Sequence, residues 1–240
     1  MRLTRLLVVV GLALAGCGGP GKPVIDPGDG GRYSVTLDPA DFVADIDNPW
    51  MPFAPGRRWL YRVDGRHRIE VVVTDQTRTI LGITATVVRD TETQGDQPVE
   101  DTFDWYTQDR DGNVWYLGED TREYENGQVV STAGSWEAGV DGALPGVIMR
   151  AHPRVGDAYR QEYYRGQAED MAKVLRTGAS ERVPLRSFEG LLVTQEWSPL
   201  EPKVVEEKYY AKGLGLVLER TVRGGSDRTE LLSYQAAPSP

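Results

Sequence analysis

Cysteine is almost missing from this chain, and the shortage constrains everything else. Cys17 is the only one among 240 residues, so no intrachain disulfide can form and stability must come from a packed core. Histidine is nearly as scarce. A zinc site would need His67 and His152 to converge, and would still lack a cluster of thiolates. Basic charge is in deficit: 27 Lys and Arg stand against 36 Asp and Glu, a formal charge of −9. That balance excludes nucleic acid as a partner, because binding it requires clustered cations to neutralise phosphates. It also argues against a broad electrostatic footprint on anionic lipid. After Cys17 no apolar run approaches the roughly 20 residues of a membrane-spanning helix. A Gly-x-Ser-x-Gly elbow, a P-loop and a dinucleotide fingerprint are all absent, and no Ser-His-acid set can be nominated. No repeat recurs at solenoid or propeller spacing.

What is present begins at the N-terminus. Arg2 and Arg5 precede an apolar run from Leu6 to Leu14, and small residues follow. A positive start, a short apolar core and a small-residue cleavage point describe a secretory signal. The ending Leu14-Ala15-Gly16-Cys17 resembles the lipobox of bacterial lipoproteins. The resemblance implies removal of residues 1–16 and attachment of diacylglycerol, typically carrying palmitate, to the Cys17 sulfur. Losing Arg2 and Arg5 takes the formal charge to −11, so lipid rather than charge must do the anchoring. Two or three acyl chains hold where one would not. The expected location is extracytoplasmic, at the cell membrane.

Residues 17–32 are rich in Gly and Pro and read as a lipidated tether. A single β-rich domain is expected over 33–234, with a frayed tail at 235–240. Trp59–Val63, Asp64-Gly65 and Arg66–Thr74 read as a hairpin, as do Glu123–Glu125, Asn126-Gly127 and Gln128–Val130. Thr79–Asp90 is rich in β-branched residues. Val99–Gln108 alternates, with Val99, Phe103 and Trp105 on one face and Glu100, Asp104 and Tyr106 on the other. These segments predict a meander of about seven short strands. Residues 131–157 have no usable period and read as one long irregular loop, packed through Trp136, Leu144, Val147, Ile148 and Met149. Strands resume at Ala158–Tyr164, Ala168–Arg176, Leu191–Trp197, Lys203–Ala211, Leu216–Val222 and Thr229–Tyr234, with a short helix over 168–175 as the alternative to the second of these. The predicted fold is all-β: an antiparallel meander forming a barrel, half-barrel or two-sheet sandwich.

Several constellations are candidates for a site. Asp109, Asp111 and Asn113 place oxygens at alternating positions around Gly112, as calcium requires, although a turn between two strands explains them through Asx hydrogen bonds. Calcium is the one cofactor considered; otherwise none is expected. Glu119, Asp120, Glu123, Glu125, Glu137 and Asp141 form an acidic group around the irregular loop, with Glu137 and Asp141 the candidate catalytic pair. Trp105, Trp115, Trp136 and Tyr163 are the leading candidates for an aromatic ligand groove, with Tyr106, Tyr116, Tyr164 and Trp197 nearby. His67, between Arg66 and Arg68, reads as exposed.

Three segments carry a family resemblance. Asn48-Pro49-Trp50-Met51-Pro52 through Pro55-Gly56 to Trp59-Leu60-Tyr61, the turn Val183–Gly190, and Glu207-Lys208-Tyr209-Tyr210-Ala211-Lys212-Gly213-Leu214-Gly215-Leu216-Val217 resemble an uncharacterised, actinobacterial-type family of secreted lipoproteins. Arg186 stands where that turn commonly has Gly. The resemblance spans roughly residues 42–234 and implies an all-β secreted domain without a known activity. The expectation is therefore a membrane-tethered module, non-enzymatic, that binds a small molecule, lipid, glycan or protein. The alternatives are a carboxylate- or calcium-dependent hydrolase acting on envelope material, and a structural envelope protein.

Overall fold

The last strand of the fold pairs with the second, so the meander returns on itself. The computed structural model describes residues 24–237. The signal segment 1–16 and the lipidation site Cys17 lie outside the described residues. A short 3-10 turn, Pro39–Asp41, precedes β1 (Phe42–Val43), β2 (Arg58–Arg62), β3 (His67–Ile80), β4 (Ile83–Gln94), β5 (Gln97–Asp109) and β6 (Val114–Glu125). Then come β7 (Gln128–Ser131), β8 (Trp136–Glu137), β9 (Leu144–Met149), β10 (Ala158–Arg160) and β11 (Glu162–Tyr163). The series ends with β12 (Met171–Arg182), β13 (Ser187–Trp197), β14 (Val205–Ala211), β15 (Gly215–Arg223) and β16 (Arg228–Gln235).

Every pairing between named strands is antiparallel, and the main path runs β10-β12-β13-β14-β15-β16-β2-β3-β4-β5-β6-β9-β11. The first and last members of that path are consecutive in sequence, with only Gln161 between them. Ala158–Arg160 pairs with β12 on one side, and Glu162–Tyr163 pairs with β9 on the other. One continuous segment thus brings the two margins of the sheet together into a nearly closed barrel.

The hairpins arise where the turn chemistry demands them. Asn126 and Gly127 both have positive φ (52° and 75°), the geometry of a two-residue turn that matches strand twist. The same geometry occurs at Leu81-Gly82, so β3 runs on to Ile80 and the pair β3–β4 is longer than the sequence suggested. Residues 171–182 are strand rather than helix.

Residues 131–157 are not one irregular loop. They contain β8 and the barrel strand β9, whose Pro145-Gly146 start disguises it. A Cβ on Gly146 would sit 2.3 Å from the carbonyl carbon of Gln161, so only glycine lets β9 approach the closing segment. The tether assignment also changes. Ile25 is buried with Met171, Trp197 and Val205, and Asp29 pairs with the buried Arg160 at 2.5 Å. Val24 to Arg32 forms a strap against the barrel.

The first and third segments of the family-like pattern lock together. Gly213 N–H donates to Pro49 O (2.6 Å), and the Trp59 indole donates to Leu214 O (2.9 Å). Asn48, fully buried, donates to the carbonyls of Gly112 and Arg150 and accepts from Trp50 N–H. These residues staple loops to the apolar end of the barrel, where Met51, Val114, Met149, Tyr159, Leu192 and Tyr210 form a core.

Candidate functional site

Strand alternation sends every second side chain inward, and in this barrel many of the inward residues are acids. They line a cavity of about 330 Å³, near the lower bound of small-ligand sites, roughly 300–1,000 Å³. One part of its wall is apolar: Met51, Phe53, Trp59, Ile69, Val88 and Leu216. The other carries eleven Asp and Glu residues, among them Asp104, Glu119, Glu162, Asp170 and Glu196, against a single basic residue, Lys208.

β5 and β6 supply the centre of the acidic part. Register places Asp104 opposite Glu119, and Tyr106 opposite Tyr116. The two tyrosine rings stack, with centroids 4.8 Å apart. Tyr116 donates its hydroxyl to Asp104 Oδ1 at 2.6 Å. Glu162, on the closing segment, accepts from the Trp136 indole at 2.9 Å. Lys208 reaches Glu196 at 2.8 Å and Glu219 at 3.8 Å.

Burial dominates the electrostatics. It pushes the Glu119 and Glu162 carboxyls well above their ordinary range, and neighbouring carboxylates, Asp104 for Glu119 and Asp170 for Glu162, push them further. Burial likewise lifts Asp170 to about 6. Tyr106, Tyr116 and Tyr210 are held protonated by burial and by nearby acids. For Lys208 burial works downward, but Glu196 and Glu219 outweigh it and keep the amine charged.

The residues nominated from sequence are placed as follows. Trp105 packs away from the cavity in a second apolar cluster with Ile83, Ala85 and Trp136, and Arg78 lies 4.1 Å above its ring. Trp115 donates to Asp109 Oδ2 at 2.8 Å. Tyr163 packs edge-on against Tyr33 beneath Arg160. Trp136 touches the cavity wall from behind, through its hydrogen bond to Glu162 and edge-on against Tyr116, with ring centroids 5.3 Å apart. From the wider aromatic group, Tyr106, Tyr116 and Trp197 do line the cavity, together with Phe53, Trp59, Tyr61 and Tyr210.

Glu137 and Asp141 do not converge. Glu137 is ion-paired with Arg78, and Asp141 is exposed at positive φ in a turn closed by Gly139 N–H on Ala143 O. The acidic group around the loop is instead divided: Glu119 and Glu123 line the cavity, while Asp120 pairs with Arg122. Asp109 accepts from Asn113 backbone N–H and side-chain amide, each at 2.8 Å, as well as from Trp115, and Asn113 Oδ1 accepts from Ala151 N–H. Those oxygens are occupied in building a turn. Among the described residues no three His, Cys, Asp or Glu side chains are grouped to hold a metal ion. His67 is buried rather than exposed, paired with Glu92 on the neighbouring strand. No helix among the described residues is long and apolar enough to cross a membrane.

No protein-family model and no curated protein matches the chain. Two solved structures are similar to it: one assigned as an exported protein with a YmcC-like fold, from Bacteroides fragilis, and one assigned as a lipoprotein, from Parabacteroides distasonis. The first is 12% identical and the second 11%; each match covers 78% of this chain and 99% of the other, with a TM-score of 0.43.

Proposed function

We propose that this protein is an extracytoplasmic binding module, tethered to a membrane by lipid on Cys17, that accepts a small ligand inside its barrel. The carrying observation is the cavity itself. Small barrels ordinarily fill their interior with side chains, whereas this one keeps about 330 Å³ open between an apolar wall and an acidic one. The Leu-Ala-Gly-Cys sequence supports the tether. The family resemblance supports secretion.

The test is a melting-temperature screen against envelope lipids, glycans, peptides and amines. It is run on the protein and on Thr121→Trp, which fills the cavity from β6. At least one compound is expected to raise the melting point of the unaltered protein and to lose that effect in the filled variant. Indifference to every compound, or an effect that survives filling, overturns the proposal.

One observation favours a second reading. Glu119, whose carboxyl burial and Asp104 push well above its ordinary range, stands opposite Asp104, and paired carboxyls in different environments can divide acid and base roles. Hydrolysis of a bound ester or glycoside, abolished by Glu119→Gln, would decide for it.

A further inference from the structure

The charges inside the barrel are arranged against the ordinary rule for facing strands. On the outer surface the carboxylates face cations: Glu230 faces Arg62, Asp101 faces Arg122, and Glu207 faces Arg220, although Arg62 also faces Arg68 and Arg220 faces Arg228. On the cavity surface Asp104 faces Glu119, Glu100 faces Glu123, and Glu196 faces Glu206. Like charges directly opposite one another destabilise a sheet, and low dielectric sharpens the repulsion. Lys208 is already engaged by Glu196 and Glu219. Around Asp104, Glu119 and Glu162 the cavity lining offers no basic side chain.

An independent feature lies on the wall of the same space. Trp197 lines the cavity and is only 8% exposed, yet its indole N–H has no acceptor. A buried donor left without a partner is costly. The apolar wall adds a third requirement, because a bare ion would leave it unfilled. The side chains that could ligate such an ion are also not grouped for one.

Taking the cavity to be a ligand site, we infer that its ligand is a small amphipathic amine. A protonated nitrogen sits among Asp104, Glu119 and Glu162. An oxygen of the ligand accepts from Trp197, and an apolar body lies along Phe53, Ile69, Val88 and Leu216. An ammonium has three donors to distribute among several carboxyl groups, and its charge favours the ionised forms of Glu119 and Glu162 that burial alone disfavours. A cleft lined by one sign of charge also concentrates ions of the other.

Three probes matched in chain length isolate the charge: 2-amino-1-octanol, 1,2-octanediol and 2-hydroxyoctanoate, each titrated calorimetrically into the intact protein. The aminoalcohol is expected to bind at least tenfold more tightly than the diol, and the hydroxyacid more weakly than either. In the double variant Asp104→Asn, Glu119→Gln the amine's advantage is expected to fall at least tenfold while the diol's affinity is unchanged, which also reports that the barrel is intact. Trp197→Phe is expected to weaken amine and diol alike. Diol or hydroxyacid binding as well as the amine overturns the amine inference and leaves the cavity as a ligand site. So does an amine preference that survives the double variant. If no probe binds, the amine inference falls, and the melting screen with Thr121→Trp separately decides whether the cavity takes any ligand.

Discussion

Tyr116 donates its hydroxyl proton to Asp104 Oδ1 across 2.6 Å, and both side chains are buried within the barrel. The contact gives a buried carboxyl a donor that its other strand neighbour, Glu119, supplies only when protonated. Tyr116→Phe removes that donor while keeping the ring stacked on Tyr106. The expected cost is about 1–3 kcal/mol, the penalty for a buried group deprived of a partner. Urea denaturation measures it, and a loss below about 0.5 kcal/mol would mean that Asp104 finds another donor.

Acid should stabilise the protein before it destabilises it. Glu119, Glu162 and Asp170 have carboxyls raised by burial, Asp170 to about 6. The folded state therefore holds protons that the unfolded chain releases near its ordinary value, 3.8 for Asp170. Their contribution is complete below the unfolded value and is lost as pH rises through the folded one. Glu207 works in the opposite sense. Burial would raise it, but Tyr209, Arg176 and Arg220 together hold it down to about 2, so its contribution is complete above 4.5 and lost toward pH 2. The melting temperature of the ligand-free protein is expected to be highest near pH 5 and to fall toward pH 8. A steady rise from pH 5 to 8 would contradict this.

Barrel closure depends on Gly146. Its would-be Cβ lies 2.3 Å from Gln161 C and 2.4 Å from Gln161 O, both backbone atoms that cannot swing aside. Gly146→Ala is expected to cost about 2–4 kcal/mol, at the upper end of overpacking penalties. Faster hydrogen exchange in β9 and β11 than in β13 and β14 would locate the damage at the seam.

Asp29 holds the N-terminal strap. Its partner Arg160 is buried between Tyr33 and Tyr163, and Tyr33 donates to Pro145 O at 2.9 Å. Asp29→Ala leaves a buried guanidinium without its counter-charge, at an expected cost of about 3 kcal/mol. Residues 24–33 should become protease-sensitive while the barrel strands stay protected.

Much of the architecture was legible because local chemistry and global fold agree. The Asp64-Gly65 and Asn126-Gly127 turns, and the strands that end in Tyr209-Tyr210, follow from short-range rules. What escaped did so for particular physical reasons. Pro145 and Gly146 carry turn chemistry but serve a closing strand, whose need for glycine comes from a neighbour distant in sequence. Ile25 and Asp29 sit in a Gly- and Pro-rich stretch, so their tertiary partners overrule composition. The largest miss is one of polarity. The alternation Glu100, Asp104, Tyr106 against Val99, Phe103, Trp105 was visible, but the polar face points into the cavity while the Trp105 face is covered by the Trp136 segment. Buried His67 belongs to the same inverted pattern.

The anchor has its own test. Protein extracted from membranes of its native host is expected to have a mass fitting a chain that begins at Cys17 with diacylglycerol attached. Cys17→Ser is expected to abolish both processing and membrane retention. An uncut precursor, or a bare thiol at position 17, would remove the tether from this account.

The most direct measurement of the central claim is the native mass of the protein released from its own membrane without denaturation, compared with Thr121→Trp prepared identically. The account predicts that the unaltered protein carries a small, basic, non-covalent adduct that the filled variant lacks. Identical adduct-free masses for the two, or an adduct retained when the cavity is filled, would contradict it.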